Sequence, residues 1–174
     1  MKLSRYALSA YVLALVVIVL DQITKAMVLS TFDAPVALIP DGYRIADVLP
    51  PIFNLTYVLN TGVSFGMFGG GEARWILSIF SVVVAVALAI WALKANRVLM
   101  AAAIGLVIGG AVGNVIDRIR FGGVVDFLDF SGTGVFPWIF NIADSGITVG
   151  VVLLILDSFL SERGSKVGVA VEKS

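Results

Sequence analysis

The chain has 174 residues, of which 59% are apolar and only 14% are charged, against about a quarter charged in an ordinary soluble domain. This balance indicates a membrane protein, and the net charge of zero gives no sign of a nucleic-acid partner. Cysteine and histidine are both absent, which excludes disulfides, thiol nucleophiles, histidine bases and the usual zinc sites. Carboxylates, hydroxyls, amides and a few basic side chains remain for chemistry.

Four windows are long and apolar enough to cross a bilayer, which takes about 20 residues. They run over about residues 7–29, 75–93, 98–116 and 138–156. The first window also has features of a secretory signal, because Lys2 and Arg5 precede an apolar run. No small-x-small cleavage site follows, and the run continues through Asp21 and Lys25. We therefore predict a retained first helix and a bundle of four spans.

Most of the basic residues outside these windows fall on one side of the predicted bundle: Lys2, Arg5, Lys94, Arg97, Arg163, Lys166 and Lys173. By the positive-inside rule that side is cytoplasmic, and both termini lie there. Residues 1–163 are interpreted as one membrane domain and residues 164–174 as a disordered tail. Two longer connections, residues 30–74 and 117–137, are then predicted on the outer side.

The first outer connection contains the stretch PPIFNLTYVLNTGVSFGMF, in which polar and apolar residues partly alternate and β-formers precede glycines. This pattern predicts a small strand platform at the membrane surface. The glycines that follow suggest a loop that gates a cleft (Gly66, Gly69, Gly70 and Gly71).

Polar residues of three predicted helices fall at one depth. At about 1.5 Å rise per residue, Asp21 lies roughly 20 Å from the cytoplasmic start of the first helix and Asn114 roughly 24 Å from that of the third. Asp144 lies roughly 20 Å from Asp157, near the inner end of the fourth. Helices that run in opposite directions reach this level from opposite ends, so composition alone does not require the agreement.

Within each helix the polar residues also share a face, because they are spaced by three, four or seven positions. The sets are Asp21 and Lys25; Asn114, Asp117 and Arg118; and Asn141, Asp144, Ser145 and Thr148. Charged side chains inside a membrane turn toward the bundle or toward water. The three faces are therefore predicted to meet in one wet pocket.

Structural roles compete with this interpretation at several positions. Asp21 with Lys25 can be an internal ion pair, and Asp117 with Arg118 can cap the third helix. Glycines at every fourth residue fit close helix packing, at positions 105, 109, 113, 146 and 150. Asp144 is harder to explain in this way, since no basic residue lies within one turn of it.

Asp126 is a candidate partner for Asp144, because it lies in the apolar stretch GGVVDFLDF. Two neighbouring carboxylates share a proton, so one acts as base and the other as acid. Such a pair can hydrolyse an amide without metal, histidine or cysteine. A serine–lysine dyad of Lys25 with Ser64 or Ser145 and an ion-coupled transporter remain alternatives.

The motifs resemble those of the bacterial lipoprotein signal peptidases, also called signal peptidase II. They appear in order as LDQITK (20–25), NTGVSF (60–65), GGAVGNVIDR (109–118), GGVVDF (122–127) and FNIADSGITVG (140–150). The resemblance implies an all-α membrane protein of four transmembrane helices with a small periplasmic β-cradle and a short periplasmic helix, both within residues 30–70. Val63 and Ser64 stand where the family often has alanines, so the shape of the cleft is expected to differ in detail.

The resemblance implies an aspartyl endopeptidase of the bacterial inner membrane, with Asp126 and Asp144 as the catalytic pair. Its substrates are expected to be prolipoproteins that carry diacylglycerol on a cysteine, cut on the amino side of that cysteine near the periplasmic face. Site-supporting positions fall on Asp21, Lys25, Asn60, Gly62, Gly110, Asn114, Arg118, Asn141 and Ala143. The asparagines among them are expected to hydrogen-bond the substrate backbone. Membrane lipid is the surrounding partner, and the expected enzyme works as a monomer without cofactor, metal or nucleic acid.

Overall fold

The computed structural model describes residues 3–62 and 72–172, with side chains up to residue 161. This part of the chain has four long helices, and the connections between the first and second and between the third and fourth helices fold into strands. The helices are α1 (Arg5–Leu29), α2 (Glu72–Ala92), α3 (Val98–Phe121) and α4 (Ile142–Glu172). Each is long and apolar enough to cross a membrane, in α4 over Ile142–Ser161. The predicted number and order of spans are confirmed.

The helix ends differ from the predicted windows where polar residues interrupt the apolar pattern. α3 continues past residue 116 to Phe121 and stops where Gly122 adopts a φ of +81° and donates to the carbonyl of Arg118. Asp117 and Arg118 therefore lie on the helix itself. α4 starts at Ile142 rather than at residue 138, because Ile139–Phe140 pair as a strand. Its helix extends to Glu172, into the segment predicted as a disordered tail.

Helix α3 lies between the other three helices and packs against α1, α2 and α4. Glycines make this close approach possible, as their spacing at every fourth residue predicts. A Cβ at Gly109 would lie 2.8 Å from the carbonyl oxygen of Ala14 on α1, and one at Gly150 would lie 2.8 Å from that of Ala103 on α3. Gly113 faces Asp21, so the backbone of α3 can approach the carboxylate of α1 directly.

The connections form one antiparallel sheet in the order β1 (Tyr43–Leu49), β2 (Phe53–Asn60), β3 (Val124–Asp129) and β4 (Ile139–Phe140). The prediction of a strand platform is confirmed for β2. Its restriction to residues 30–70 is wrong, because β3 and β4 come from the second connection. β3 lacks the alternation of a half-exposed strand, because both of its faces are covered and its apolar residues are interrupted only by Asp126 and Asp129.

The sheet is fixed to one end of the bundle by a buried apolar cluster of Val28, Ile39, Tyr57, Val125 and Phe127. This is the end where α1 and α3 finish and α4 begins. Among the described residues the connections also form single 3-10 turns at Val36–Leu38 and Ser131–Thr133. The predicted gating loop of residues 66–71 lies outside the described residues, as do Val63 and Ser64.

Candidate active site

The polar faces of α1, α3 and α4 meet at the end of the bundle that carries the sheet. The Nζ of Lys25 lies 2.9 Å from Asp21 Oδ2 and 2.8 Å from Asp117 Oδ2. It also donates to Asn114 Oδ1 at 3.3 Å. All four side chains are buried. We call Asp21, Lys25 and Asp117 the charge cluster; it is the convergence that the shared depth of the polar residues predicts.

Asp126 lies on β3 directly beside this cluster, and it is 2% exposed. Its Oδ1 accepts from Asn141 Nδ2 at 2.6 Å and its Oδ2 from Asn60 Nδ2 at 3.1 Å. Burial and the charge of Asp144 raise the pKa of Asp126 to about 7, although the hydrogen bonds from Asn60 and Asn141 and the charge of Lys25 oppose the rise. This carboxyl group therefore exchanges its proton near neutral pH.

Asp144 lies in the first turn of α4, where a carboxylate is favoured by the helix dipole. Its backbone N–H donates to Asn141 Oδ1 at 2.9 Å, so Asn141 caps the helix. Its Oδ1 accepts from Asn114 Nδ2 at 2.7 Å. The side chain of Asp144 is half-buried and lines a cleft of about 290 Å³, whose other walls are Phe136, Phe140, Ser145, Thr148 and Val149.

Asn141 joins the two aspartates, because one amide group contacts both. Its Nδ2 binds the carboxylate of Asp126 while its Oδ1 binds the backbone of Asp144. The amides of Asn60 and Asn114 likewise donate to Asp126 and Asp144. Each of these amides donates to an aspartate in this structure, and the expectation that they also hold the substrate backbone stays a prediction.

Asp129, the other carboxylate of β3, belongs to a different environment. Successive side chains of a strand point to opposite faces, so residues three positions apart, such as Asp126 and Asp129, face opposite ways. Asp129 accepts hydrogen bonds from Thr56 Oγ1 at 2.6 Å and from Ser131 N at 2.9 Å, and Arg44 lies 3.6 Å away. Burial alone would raise the pKa of Asp129, but the hydrogen bonds from Ser131 and Thr56 hold it below its ordinary range.

The remaining predicted positions shape the site through the backbone. Gly62 has a φ of +76°, and its N–H donates to Asn60 Oδ1 at 2.9 Å, which orients that amide. Ala143 is fully buried, and its N–H donates to Asp21 Oδ1 at 2.9 Å. Gly110 faces the carbonyl of Ala143, so α3 and α4 touch there. Arg118 has a buried Nε with no hydrogen-bond partner within the described part of the chain.

Two polar residues of the site are absent from the predicted set of site residues. Asp117 binds Lys25 and also accepts from the backbone N–H of Val125 at 3.0 Å. Gln22 donates to Asp117 Oδ1 at 2.9 Å. The capping role suggested for Asp117 is therefore wrong. The spacing from Asn114 already placed Asp117 on the polar face, but its contact with β3 depends on how the sheet docks.

The family model described as Signal peptidase (SPase) II matches residues 13–160. The chain is 50% identical over 166 residues to a lipoprotein signal peptidase of Caulobacter vibrioides, with 94% of each chain covered. It is 45% identical over 158 residues to one of Shewanella loihica, with 88% of this chain and 87% of the relative covered.

A solved structure supports the fold as well. It is described as a bacterial membrane enzyme structure obtained by the in meso method at 2.3 Å resolution. It superposes with a TM-score of 0.76 at 32% sequence identity, and covers 95% of this chain and 96% of the other. Together with the family match over most of the chain, these relatives establish that the chain belongs to the signal peptidase II family.

Proposed function

We propose that Asp126 and Asp144 are the catalytic pair with which this aspartic peptidase of the signal peptidase II family removes signal peptides from prolipoproteins. The observation that carries the proposal is the shared environment of the two carboxylates. Burial and the charge of Asp144 raise the pKa of Asp126 to about 7, and Asn141 contacts both residues. At neutral pH such a pair holds one proton between two carboxylates.

One shared proton is what metal-free amide hydrolysis requires. The ionised carboxylate accepts a proton from water as the water oxygen attacks the carbonyl carbon, and the protonated carboxyl group donates to the carbonyl oxygen. The pair then transfers a proton to the amide nitrogen as the carbon–nitrogen bond breaks, and a hydroxyl group of the tetrahedral intermediate returns its proton to the pair, so that a carboxyl group and an amine are released. The pair ends with one proton, so the enzyme is ready for another cycle.

The contacts of Lys25 argue against the serine–lysine alternative. A lysine that acts as a general base must be neutral, whereas the ammonium group of Lys25 lies within 3 Å of two carboxylates, at 2.9 Å from Asp21 and 2.8 Å from Asp117. Ser145, the described candidate nucleophile, donates its hydroxyl to the carbonyl of Asn141 at 2.9 Å. Its hydrogen bond therefore goes to a helix carbonyl instead of a base.

The finer substrate assignment rests on the resemblance and on the location of the cleft. We propose that the substrate carries diacylglycerol on a cysteine and is cut on the amino side of that residue, at the periplasmic face of the inner membrane. A cleft at one end of the bundle with walls such as Phe136, Phe140 and Val149 suits a peptide bond held near lipid chains. We further propose that the enzyme acts as a monomer with both termini in the cytoplasm.

The test is cleavage of a diacylglyceryl-modified prolipoprotein by purified protein in detergent. Asp126→Asn and Asp144→Asn are each expected to abolish turnover, whereas Asp129→Asn retains it because Asp129 faces the other side of β3. Ser145→Ala is expected to remain active. Full activity of either dyad variant would disprove the aspartate pair, and loss of activity in Ser145→Ala with an active Asp126→Asn would favour the serine mechanism.

A further inference from the structure

The two carboxylates of the charge cluster accept hydrogen bonds from the backbone next to each aspartate of the proposed catalytic pair. Asp21 Oδ1 accepts the N–H of Ala143, the residue before Asp144, at 2.9 Å. Asp117 Oδ2 accepts the N–H of Val125, the residue before Asp126, at 3.0 Å. Lys25 binds both carboxylates. One ammonium group therefore links two equivalent backbone contacts, each adjacent to one aspartate.

The contact at Val125 takes the place of a neighbouring strand. β4 pairs with β3 only at Leu128 and Asp129, so it ends before it reaches Val125. There the N–H of Val125 binds Asp117, and its carbonyl accepts from Asn141 Nδ2 at 3.3 Å. Without these side chains the backbone beside Asp126 would have buried polar groups without partners, which is costly.

The orientation of Asp117 is fixed by a separate group at each oxygen. Oδ2 binds Lys25 and Val125, while Oδ1 accepts from Gln22 Nε2 at 2.9 Å. The side chain is completely buried. A carboxylate held in this way fixes the strand that carries Asp126 relative to α1 and α3.

We propose that Asp117 is a positioning residue for catalysis, which holds Asp126 through Val125 and is coupled by Lys25 to the equivalent contact at Asp144. The proposal rests on the catalytic pair proposed above. Asp126 comes from a strand and Asp144 from a helix, so their separation depends on how the sheet docks on the bundle. Asp117 and Lys25 set that separation.

The experiment compares Asp117→Asn and Asp117→Leu with Asp129→Asn in the same prolipoprotein cleavage assay. Asparagine keeps an acceptor for the N–H of Val125 but loses the ion pair, whereas leucine loses both. We expect kcat to fall about 10-fold for asparagine and about 100-fold for leucine with little change in KM, the range typical of lost supporting contacts. Asp129, on β3, is the matched control. It is buried like Asp117, and its carboxylate also accepts a hydrogen bond from a backbone N–H, that of Ser131. Its variant is expected to keep the wild-type kcat.

A pH profile separates positioning from a general loss of structure. The charged groups that act on Asp126 are Asp144, Lys25 and Arg118. Removal of the Asp117 carboxylate leaves the charge of Lys25 less compensated, which favours the ionised form of Asp126. The alkaline limb of kcat/KM is therefore expected at lower pH in Asp117→Asn, and unchanged in Asp129→Asn.

Several outcomes would overturn the proposal. Wild-type kcat in a folded Asp117→Asn and Asp117→Leu would show that Asp117 does not position the pair. If the alkaline limb of kcat/KM does not shift in Asp117→Asn, and thermal stability and activity are lost in parallel, Asp117 has only a structural role. If Asp117→Leu does not fold, the asparagine variant decides alone. If the proposal of the catalytic pair is itself wrong, this is recognised separately, because Asp126→Asn would then remain active.

Discussion

Replacement of Asn141 by alanine tests the electrostatics of the site most directly. Asn141 donates to Asp126 Oδ1 at 2.6 Å, the shorter of the two side-chain hydrogen bonds to that carboxylate, and it is completely buried. A hydrogen bond to a charged group contributes about 1.5 to 3 kcal/mol. Because it favours the ionised form of Asp126, its removal should raise the pKa of this group further above about 7.

The expected displacement follows from that energy. One pKa unit corresponds to about 1.36 kcal/mol, so the loss of the bond is worth at most about 1 to 2 units. A pair that needs one proton loses activity as pH rises through its upper pKa, so the alkaline limb of kcat/KM should move to higher pH by up to that amount. The same substitution removes the cap of α4, which costs about 1 kcal/mol of stability.

The assay is the pH dependence of prolipoprotein cleavage between about pH 5 and 9, the interval around the upper pKa of the pair. Asn60→Ala serves as the matched variant, because it removes the longer hydrogen bond to Asp126, at 3.1 Å, and leaves the cap of α4 intact. Its alkaline limb should move in the same direction by a smaller amount. An alkaline limb that stays in place or moves to lower pH in Asn141→Ala would refute the assignment of that limb to Asp126.

Two further predictions concern stability, measured by thermal unfolding in detergent. The rise in the pKa of Asp126 from 3.8 to about 7 means that the folded state holds this proton more tightly, so ionisation costs stability as pH rises through that interval, by up to about 4 kcal/mol. Asp126→Asn should therefore be more stable than wild type at pH 8 and lose this advantage toward pH 4; equal curves at both pH values would contradict it. Gly110→Ala should destabilise the protein by about 1 to 3 kcal/mol, because its Cβ would overlap a carbonyl of α4. Gly146→Ala, whose Cβ would lie 3.2 Å from its nearest neighbour, should cost clearly less, and similar losses in the two variants would argue against this packing account.

The sequence predicts the helices and the convergence of their polar faces because both depend on local periodicity. Three- and four-residue spacing fixes a helix face, and the depth of Asp21, Asn114 and Asp144 follows from counting residues along α1, α3 and α4. Family resemblance, and not spacing, singles out Asp126 over Asp129. The structure gives a physical reason for that choice, since strand geometry turns the two side chains to opposite faces of β3.

What the sequence does not reveal are contacts that depend on the docking of the sheet. β3 is not recognisable from the sequence, because a strand covered on both faces has no alternation to detect. Without β3 there is no reason to expect the N–H of Val125 next to α3, and Asp117 then resembles a helix-end residue. The two functions of Asn141, as cap of α4 and as donor to Asp126, likewise combine one local contact with one tertiary contact.

The cost of the charge cluster is itself an argument for its role. A buried ion pair seldom stabilises a protein more than apolar side chains of the same size, because desolvation offsets the attraction. The fold nevertheless buries Asp21, Lys25 and Asp117 together within the bundle. Apolar residues can fill this space, but they cannot accept the N–H groups of Ala143 and Val125. The feature that requires polar acceptors at these positions is therefore the fixed backbone next to Asp144 and Asp126, and stability alone does not require it.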